Sequence, residues 1–489
     1  MLTERTMRSA IPLFCWSVLA ILVSVSPVSS QTSASYSTPP APSGAASAAN
    51  ALSQGPFGGS VPEGKATSEA LPLSFIEAIN RGLRNNLGLL LQSDNTLAAR
   101  AQRWQELSNL LPNVSAGISE TALQTNLQAE GLRFPGFPKI IGPFGFFDAR
   151  VYLKQPLVDL QALNRERGAA INQRAAAYSY QDARNMVVLA VGNAYLVTLA
   201  GTARVETALA QQQTAQALFD KASDQQKAGV VPAIDALRAQ VELQARQQQL
   251  ISARNEYAKQ KLALARVIGL PPGQEFNLTE QAPYEPFTPM GLEQSLQRAY
   301  STRPDYLAAA EKVRSAEYFR KAATAEYFPS LGLNADYGDI GITPNNSHGT
   351  FTASGTLRIP IFLGGKVHAD ALQQDAALQQ ARQQLEELRG RIDYQVRSAL
   401  LDLTSAADQV EVARSSVNLA EQALNQSKDR FAAGVTDNLE VIQAQDALAS
   451  ANESYISSLY SHNVAKIALV FSMGYAEQGV KQYLQTRKP

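Results

Sequence analysis

The chain has 489 residues, 45% of them apolar, with 43 basic and 43 acidic side chains. That length admits large buried surfaces and, by size alone, roughly two to four domains. The zero formal charge argues against the basic footprint of a nucleic-acid binder and against a general attraction to anionic lipid.

At the N-terminus, Arg5 and Arg8 precede an apolar run from about Ile11 to Val25 and the small residues Pro27-Val-Ser-Ser30. This pattern predicts a secretory signal peptide over residues 1–30. The run is shorter than the roughly 20 residues of a membrane-spanning helix. No later stretch reads as long and apolar enough, so no transmembrane helix is expected after cleavage. Cys15, the only cysteine, lies inside the apolar run behind Leu13 and Phe14, which argues against a lipidated or disulfide-bonded mature chain. Residues 31–70 are rich in Ser, Ala, Pro and Gly and are expected to form a disordered leader.

A first structural unit is read over residues 71–270, opening on the capping box Ser74-Phe-Ile-Glu77. A helix leads to Pro112, and a β-hairpin is expected over about 112–157, where Ala149, Val151 and Leu153 alternate with Arg150, Tyr152 and Lys154. There is no proline between Pro156 and Pro232. A helix from about 160 to 228 would be about 100 Å long at 1.5 Å per residue. It turns at Gly229, and a shorter helix of about 36 residues follows. A Pro-rich linker over 271–290 precedes a second unit at 291–475 and a tail at 476–489.

The second unit repeats the first. Leu111-Pro-Asn-Val, Gln155-Pro-Leu and Ala228-Gly-Val return as Phe328-Pro-Ser-Leu, Ile359-Pro-Ile and Ala433-Gly-Val. Pro112 and Pro329 are offset by 217 positions but Gly229 and Gly434 by 205, so the first unit carries an insertion, read as a loop. In the second long helix Leu378, Ala381, Leu385, Leu388, Ile392, Val396, Ala399, Leu403, Ala406 and Val410 step by threes and fours. That spacing is a coiled-coil seam, with a stutter at Leu388-Ile392-Val396 that locally unwinds it. The hairpin expected over about 329–361 alternates Leu331, Leu333, Ala335 and Tyr337 against Ser330, Gly332, Asn334 and Asp336. Two hairpins with one apolar face cannot close a lipid-facing barrel alone, so oligomerisation is expected. Two, three or four chains would each supply the eight or more strands that closure needs.

The signal peptide, duplicated long helices and paired hairpins resemble the TolC-like outer-membrane efflux protein family over about residues 71–475. The most specific segments are Ser74-Phe-Ile-Glu-Ala-Ile, Phe328-Pro-Ser-Leu, Pro360-Ile-Phe-Leu-Gly-Gly-Lys and Arg430-Phe-Ala-Ala-Gly-Val-Thr-Asp-Asn-Leu-Glu-Val-Ile-Gln-Ala-Gln445. The resemblance implies a membrane α+β fold, a duplicated unit of long coiled-coil helices plus two β-hairpins. It further implies a homotrimer forming a 12-stranded outer-membrane β-barrel continuous with a periplasmic α-helical barrel. Outer-membrane lipid, a periplasmic adaptor and an inner-membrane transporter are the implied partners, in a system for efflux or export. Departures are visible: Asp159-Leu160 stands where the second unit has Gly364-Gly365, Leu363 replaces a frequent acid or amide, and Gln225-Gln226 stands for Arg430-Phe431.

Candidate residues follow from this frame. Gly229, Val230, Arg430, Gly434 and Val435 would form the periplasmic tip that meets the adaptor, although each glycine also suits a helix C-cap. By resemblance, Asp235 and Glu440 would narrow the closed end of the tunnel. Asp437 and Glu440 also have capping-box spacing, so a purely local role stands beside the aperture role. Phe134, Phe137, Phe144, Phe146 and Phe147 would sit in the inserted loop at the outer mouth, over the opening, at the headgroups or as a variable loop. No enzyme, cofactor or metal site is expected. His348, His368 and His462 are scattered, Leu363-Gly-Gly-Lys366 is not a phosphate loop, and Met186, Met290 and Met473 form no copper path. The rival from another class is a periplasmic or surface coiled-coil scaffold without a pore.

Overall fold

Ser74 opens the first helix of the computed structural model, which describes residues 55–132, 135–280, 286, 290–436 and 438–483, all within one unit spanning Pro42–Pro489. The expected signal peptide, most of the leader, Phe134 and Asp437 lie outside the described residues, and with Asp437 the capping box it would form. The Ser74 hydroxyl accepts from the Glu77 amide at 3.2 Å and starts α1 (Phe75–Asn85). Asn86 then ends α1 and caps α2 (Leu87–Ser108), accepting from the Gly88 amide at 3.0 Å.

The long helix α3 (Leu160–Lys227) is followed by α4 (Ala233–Ile268); in the second unit α5 (Leu292–Thr302) and α6 (Pro304–Ala325) precede α7 (Lys366–Ala432) and α8 (Asn438–Ser472). Helix α3 packs against α2, α4 and α6, and α7 against α6 and α8, so shorter helices share each long one. The seam read in α7 is buried at Leu378, Leu388, Ile392, Val396, Ala399, Leu403, Ala406 and Val410, with Ala381 and Leu385 half-buried. Its stutter lies beside Leu296 and Ala299, which cluster with Leu388, Ile392 and Val396 where α5 gives way to α6. In α3 the buried Ala208, Ala215 and Ala222 keep a seven-residue spacing, so neighbouring backbones approach closely.

Two expectations change in the helical part. Helix α3 does contain a stretch long and apolar enough to cross a membrane, and most of it is buried inside the protein. Val187, Val188, Val191 and Tyr195 from that stretch join Phe75, Ile79, Leu264, Ile268 and Ile467 in the main core, so its apolar character serves packing. The expected tail also begins with a packed helix, α9 (Ala476–Tyr483): Ala476 is fully buried and Glu477 pairs with Arg184 at 2.8 Å.

The end of the expected leader is docked, and the linker is not bare. Phe57 packs on the main core, the Val61 amide donates to Asn85 O at 2.8 Å, and the Thr67 amide donates to Gln274 Oε1 at 2.7 Å. Strands β1 (Leu71–Leu73) and β4 (Phe276–Leu278) pair in parallel, with Leu73 and Phe276 buried. A few apolar anchors and one buried amide hold segments whose average composition reads as coil.

The four remaining strands form one antiparallel sheet in the order β2-β3-β5-β6. They are β2 (Asn113–Asn126), β3 (Ile140–Val158), β5 (Ser330–Thr343) and β6 (Asn346–Arg358). The two hairpins meet along β3 and β5, with Val151 opposite Tyr337 and Leu153 opposite Ala335. Strands are 13 to 19 residues long, longer than the ten or so expected. The insertion is only partly a loop: Phe144, Phe146 and Phe147 belong to β3, opposite Leu123, Thr121 and Glu120. Their β-forming aromatic composition extends the ladder. Phe137 alone of the described aromatics named there lies in the connection, two-thirds exposed.

Candidate functional site

At the helical end both glycine turns are Schellman motifs. The Val230 amide donates to Gln225 O at 2.9 Å and the Gly229 amide to Gln226 O at 2.9 Å; Val435 and Gly434 repeat this with Arg430 O at 3.0 Å and Phe431 O at 3.1 Å. Gly229 has φ 72° and Gly434 φ 70°, a conformation costly for any residue with a Cβ. The C-cap role is therefore real at both sites. It also leaves Val230 and Val435 each 69% exposed, an apolar pair at corresponding positions of the two units.

Behind the second turn Phe431 packs with Leu424, Val441 and Leu218, and Lys221 of α3 lies 5.3 Å from its ring centre. Glu440 accepts from the Thr436 hydroxyl at 2.5 Å and the Ser427 hydroxyl at 3.3 Å, with Arg430 at 3.6 Å. The fold thus joins two residues singled out separately, Arg430, expected at the tip, and Glu440, expected in the aperture. Asp235, expected in the aperture, is buried at 9% exposure with Arg238 at 3.5 Å. It is a carboxylate enclosed at a helix start. Gln443, one turn past Glu440, is exposed and uncharged.

Sequence reading missed a second polar contact further along these helices. Arg246 of α4, 5% exposed, donates to Glu242 at 2.5 Å and to Gln249 at 2.8 Å, and also bonds Asp446 of α8. The Glu242–Arg246 spacing of four was a legible signal. Asp446, 200 positions away in the chain, was not.

At the sheet end the pleat separates two chemistries. One face carries Val114, Ala116, Ile118, Val151, Leu153, Ala335, Tyr337, Phe351 and Ala353, matched across the register. Ile118 is 80% and Phe351 78% exposed, an uncovered apolar surface of the kind that marks a partner or lipid. The opposite face carries Ser115, Arg150, Lys154, Asn334, Asp336, Thr350 and Thr352. There Arg150 donates to Asp148 at 2.8 Å, to Asp336, and to the Thr350 hydroxyl at 3.1 Å, crossing above Gly338, where a Cβ would meet Arg150 Cγ at 2.7 Å.

A four-stranded sheet with one apolar and one polar face, joined to helices far longer than a bilayer is thick, has the form expected of a β-sheet that meets lipid on one side and stands on a helical stalk. The family model for "Outer membrane efflux protein" matches residues 78–270 and 295–475, the two repeats. The chain belongs to the outer membrane efflux protein family. It is similar to the alkaline protease secretion protein AprF of Pseudomonas aeruginosa, 24% identical over 67% of this chain and 69% of AprF. It is also similar to the probable efflux pump outer membrane protein TtgC of Pseudomonas putida, 23% identical over 81% of this chain and 82% of TtgC. Among solved structures, the outer membrane protein VceC of Vibrio cholerae superposes with a TM-score of 0.71 at 18% identity, covering 82% of this chain and 96% of VceC. The protein is an outer-membrane export channel, and the scaffold reading gives way to it.

Proposed function

We propose that three copies assemble into one passive duct, with a 12-stranded barrel in the outer membrane and the α3/α4 and α7/α8 hairpins forming a periplasmic tunnel. The observation that carries this is the sheet: β2 and β6 each pair on one side only, while the apolar face is bare. Strand edges cannot face lipid, so neighbouring copies must supply the missing ladders. The apolar face then meets outer-membrane lipid, the polar face lines water, and nucleic acid has no part. Energy comes from an inner-membrane transporter, reached through a periplasmic adaptor that docks at Gly229, Val230, Arg430, Gly434 and Val435.

Glu440 supplies the negative charge of the aperture and Asp235 braces the first turn behind it. The part of β3 from Ile140 through Phe147, with Phe137 in the connection, forms the outer mouth. Residues 1–30 serve as the secretory signal, 31–70 as a leader whose end docks on the body, and the two repeats with their linker and tail as the working body. Purified protein is expected to migrate as a heat-modifiable trimer from outer-membrane fractions and to give single-channel conductance in planar bilayers. A detergent-independent monomer without conductance overturns the duct.

A further inference from the structure

The separation of polar and apolar faces breaks down toward the hairpin ends, where large apolar side chains enter the polar face and acids the apolar one. Near the helices, the rows Asn113/Lys154/Asn334/Ser354 and Ser115/Tyr152/Asp336/Thr352 keep polar groups on one face, and Val114/Leu153/Ala335/Ala353 keep apolar groups on the other. Beyond Arg150 the polar face becomes Ile340 opposite Asp148, Phe146 opposite Thr121, and Phe144 opposite Leu123. Ile342 follows two residues after Ile340, and its carbonyl would lie 2.7 Å from a Cβ placed on the neighbouring Gly145. On the apolar face the same rows bring in acids: Asp339 lies opposite Ala149, and Glu120 opposite Phe147. The alternation of β3 is unbroken from Phe144 to Gln155, so this breakdown is a property of the sequence in its register and not of a slipped strand.

Acids cannot sit in hydrocarbon, so Glu120 and Asp339 mark where the outer face leaves the membrane. Past the row of Ser119, Asp148, Ile340 and His348, the water-lining face carries Phe146, Phe144 and Leu123, with Thr121 among them. Resting on the trimeric duct proposed above, we infer that Phe144, Phe146 and Ile342, with Leu123 and Ile340, form an apolar collar inside the exit, a constriction that disfavours hydrated solutes and passes amphiphilic cargo. Twelve strands about 4.8 Å apart and tilted about 40° enclose a backbone ring about 24 Å across. Phenylalanines reaching in from opposite sides fill about half of that width, and an apolar lining of the remainder resists wetting.

The test uses the full-length protein in intact cells, where Cys15 of the expected signal segment is the only natural cysteine. Cysteines are introduced as Gln128→Cys, exposed in the hairpin connection, and Tyr152→Cys, on the polar face below the collar. A bulky membrane-impermeant sulfonated-dye maleimide is added from outside. Tyr152→Cys is expected to label about tenfold more slowly than Gln128→Cys, and Phe144→Ser with Phe146→Ser to bring it within about twofold. Phe146→Ser alone should give an intermediate rate should the double variant fail to assemble. Phe147→Ser, on the opposite face, should change nothing. Equal labelling of both cysteines with the collar intact, or continued protection of Tyr152→Cys once both phenylalanines are replaced, overturns the collar. If Gln128→Cys is not labelled at all, the outer-membrane placement itself fails and takes the collar with it.

Discussion

Glu440 is held by Thr436, Ser427 and Arg430 at the start of α8, so its charge is compensated within one chain and also favours the helix dipole. Replacing it with Ala removes these contacts and, in the proposed duct, the aperture charge. Glu440→Ala is expected to raise leak conductance or antibiotic influx several-fold, with Glu440→Gln intermediate. Unchanged leak alongside a lower melting temperature would leave it a cap only. Two groups in the helical body carry a pH dependence. Burial, and then the charge of Lys466, holds His462 at about 4 against an ordinary 6.5. Burial, and then Asp305, pushes Asp182 up to about 7 from 3.8. The native state resists a proton on His462, so that contribution to stability is lost as pH falls from 6.5 toward about 4. It retains a proton on Asp182, so that contribution is lost as pH rises from 3.8 toward about 7. The slopes oppose each other. His462→Gln is expected to leave a melting temperature that falls as pH rises from 4.5 to 6.5, and Asp182→Asn one that rises over the same window; helical circular dichroism distinguishes them.

Between elements, ion pairs such as Arg204 with Glu453, Arg320 with Asp375 and Arg382 with Glu317 join neighbouring helices. Arg246 ties α4 to α8 through Asp446 and neutralises Glu242. Its own side chain is 6% exposed, whereas that of Asp446 is 61% exposed, so the cost of losing the arginine falls mainly on the half-enclosed Glu242. Arg246→Ala should destabilise by about 1–3 kcal/mol. Amide hydrogen exchange over residues 233–250 and 438–450 should quicken, and unchanged exchange there would reduce the contact to a surface pair. The local signals for these helices were all legible: proline-free stretches, the seven-residue seam of α7, and glycines at Gly229 and Gly434. The contact across them was not, because nothing in the periodicity of α4 specifies which helix it will face. The same holds for β1 and β4, three-residue strands too short to show a period.

For the whole molecule, the uncovered apolar face sets the solvent in which the fold is stable. Phe351→Lys, opposite Tyr337 on that face, is expected to cost about 2–4 kcal/mol in a bilayer. Thr352→Lys, its neighbour on the polar face, should cost well under about 1 kcal/mol. Denaturant unfolding from lipid vesicles would separate the two, and equal costs would contradict a lipid-facing surface. The proposed trimer would also cover the strand edges of β2 and β6, which pair on one side only.

The duplication, the lengths of the long helices, the glycine turns and the alternation of the hairpin strands follow from the amino-acid sequence, because each rests on local periodicity and backbone preference. Tertiary structure decided what those patterns meet. It joined the two hairpins along β3 and β5, drew Phe144, Phe146 and Phe147 from an expected loop into a strand, buried the apolar stretch of α3 and docked the end of the leader. Strand pairing and burial depend on residues distant in the chain, and a one-residue change of register would reverse every face.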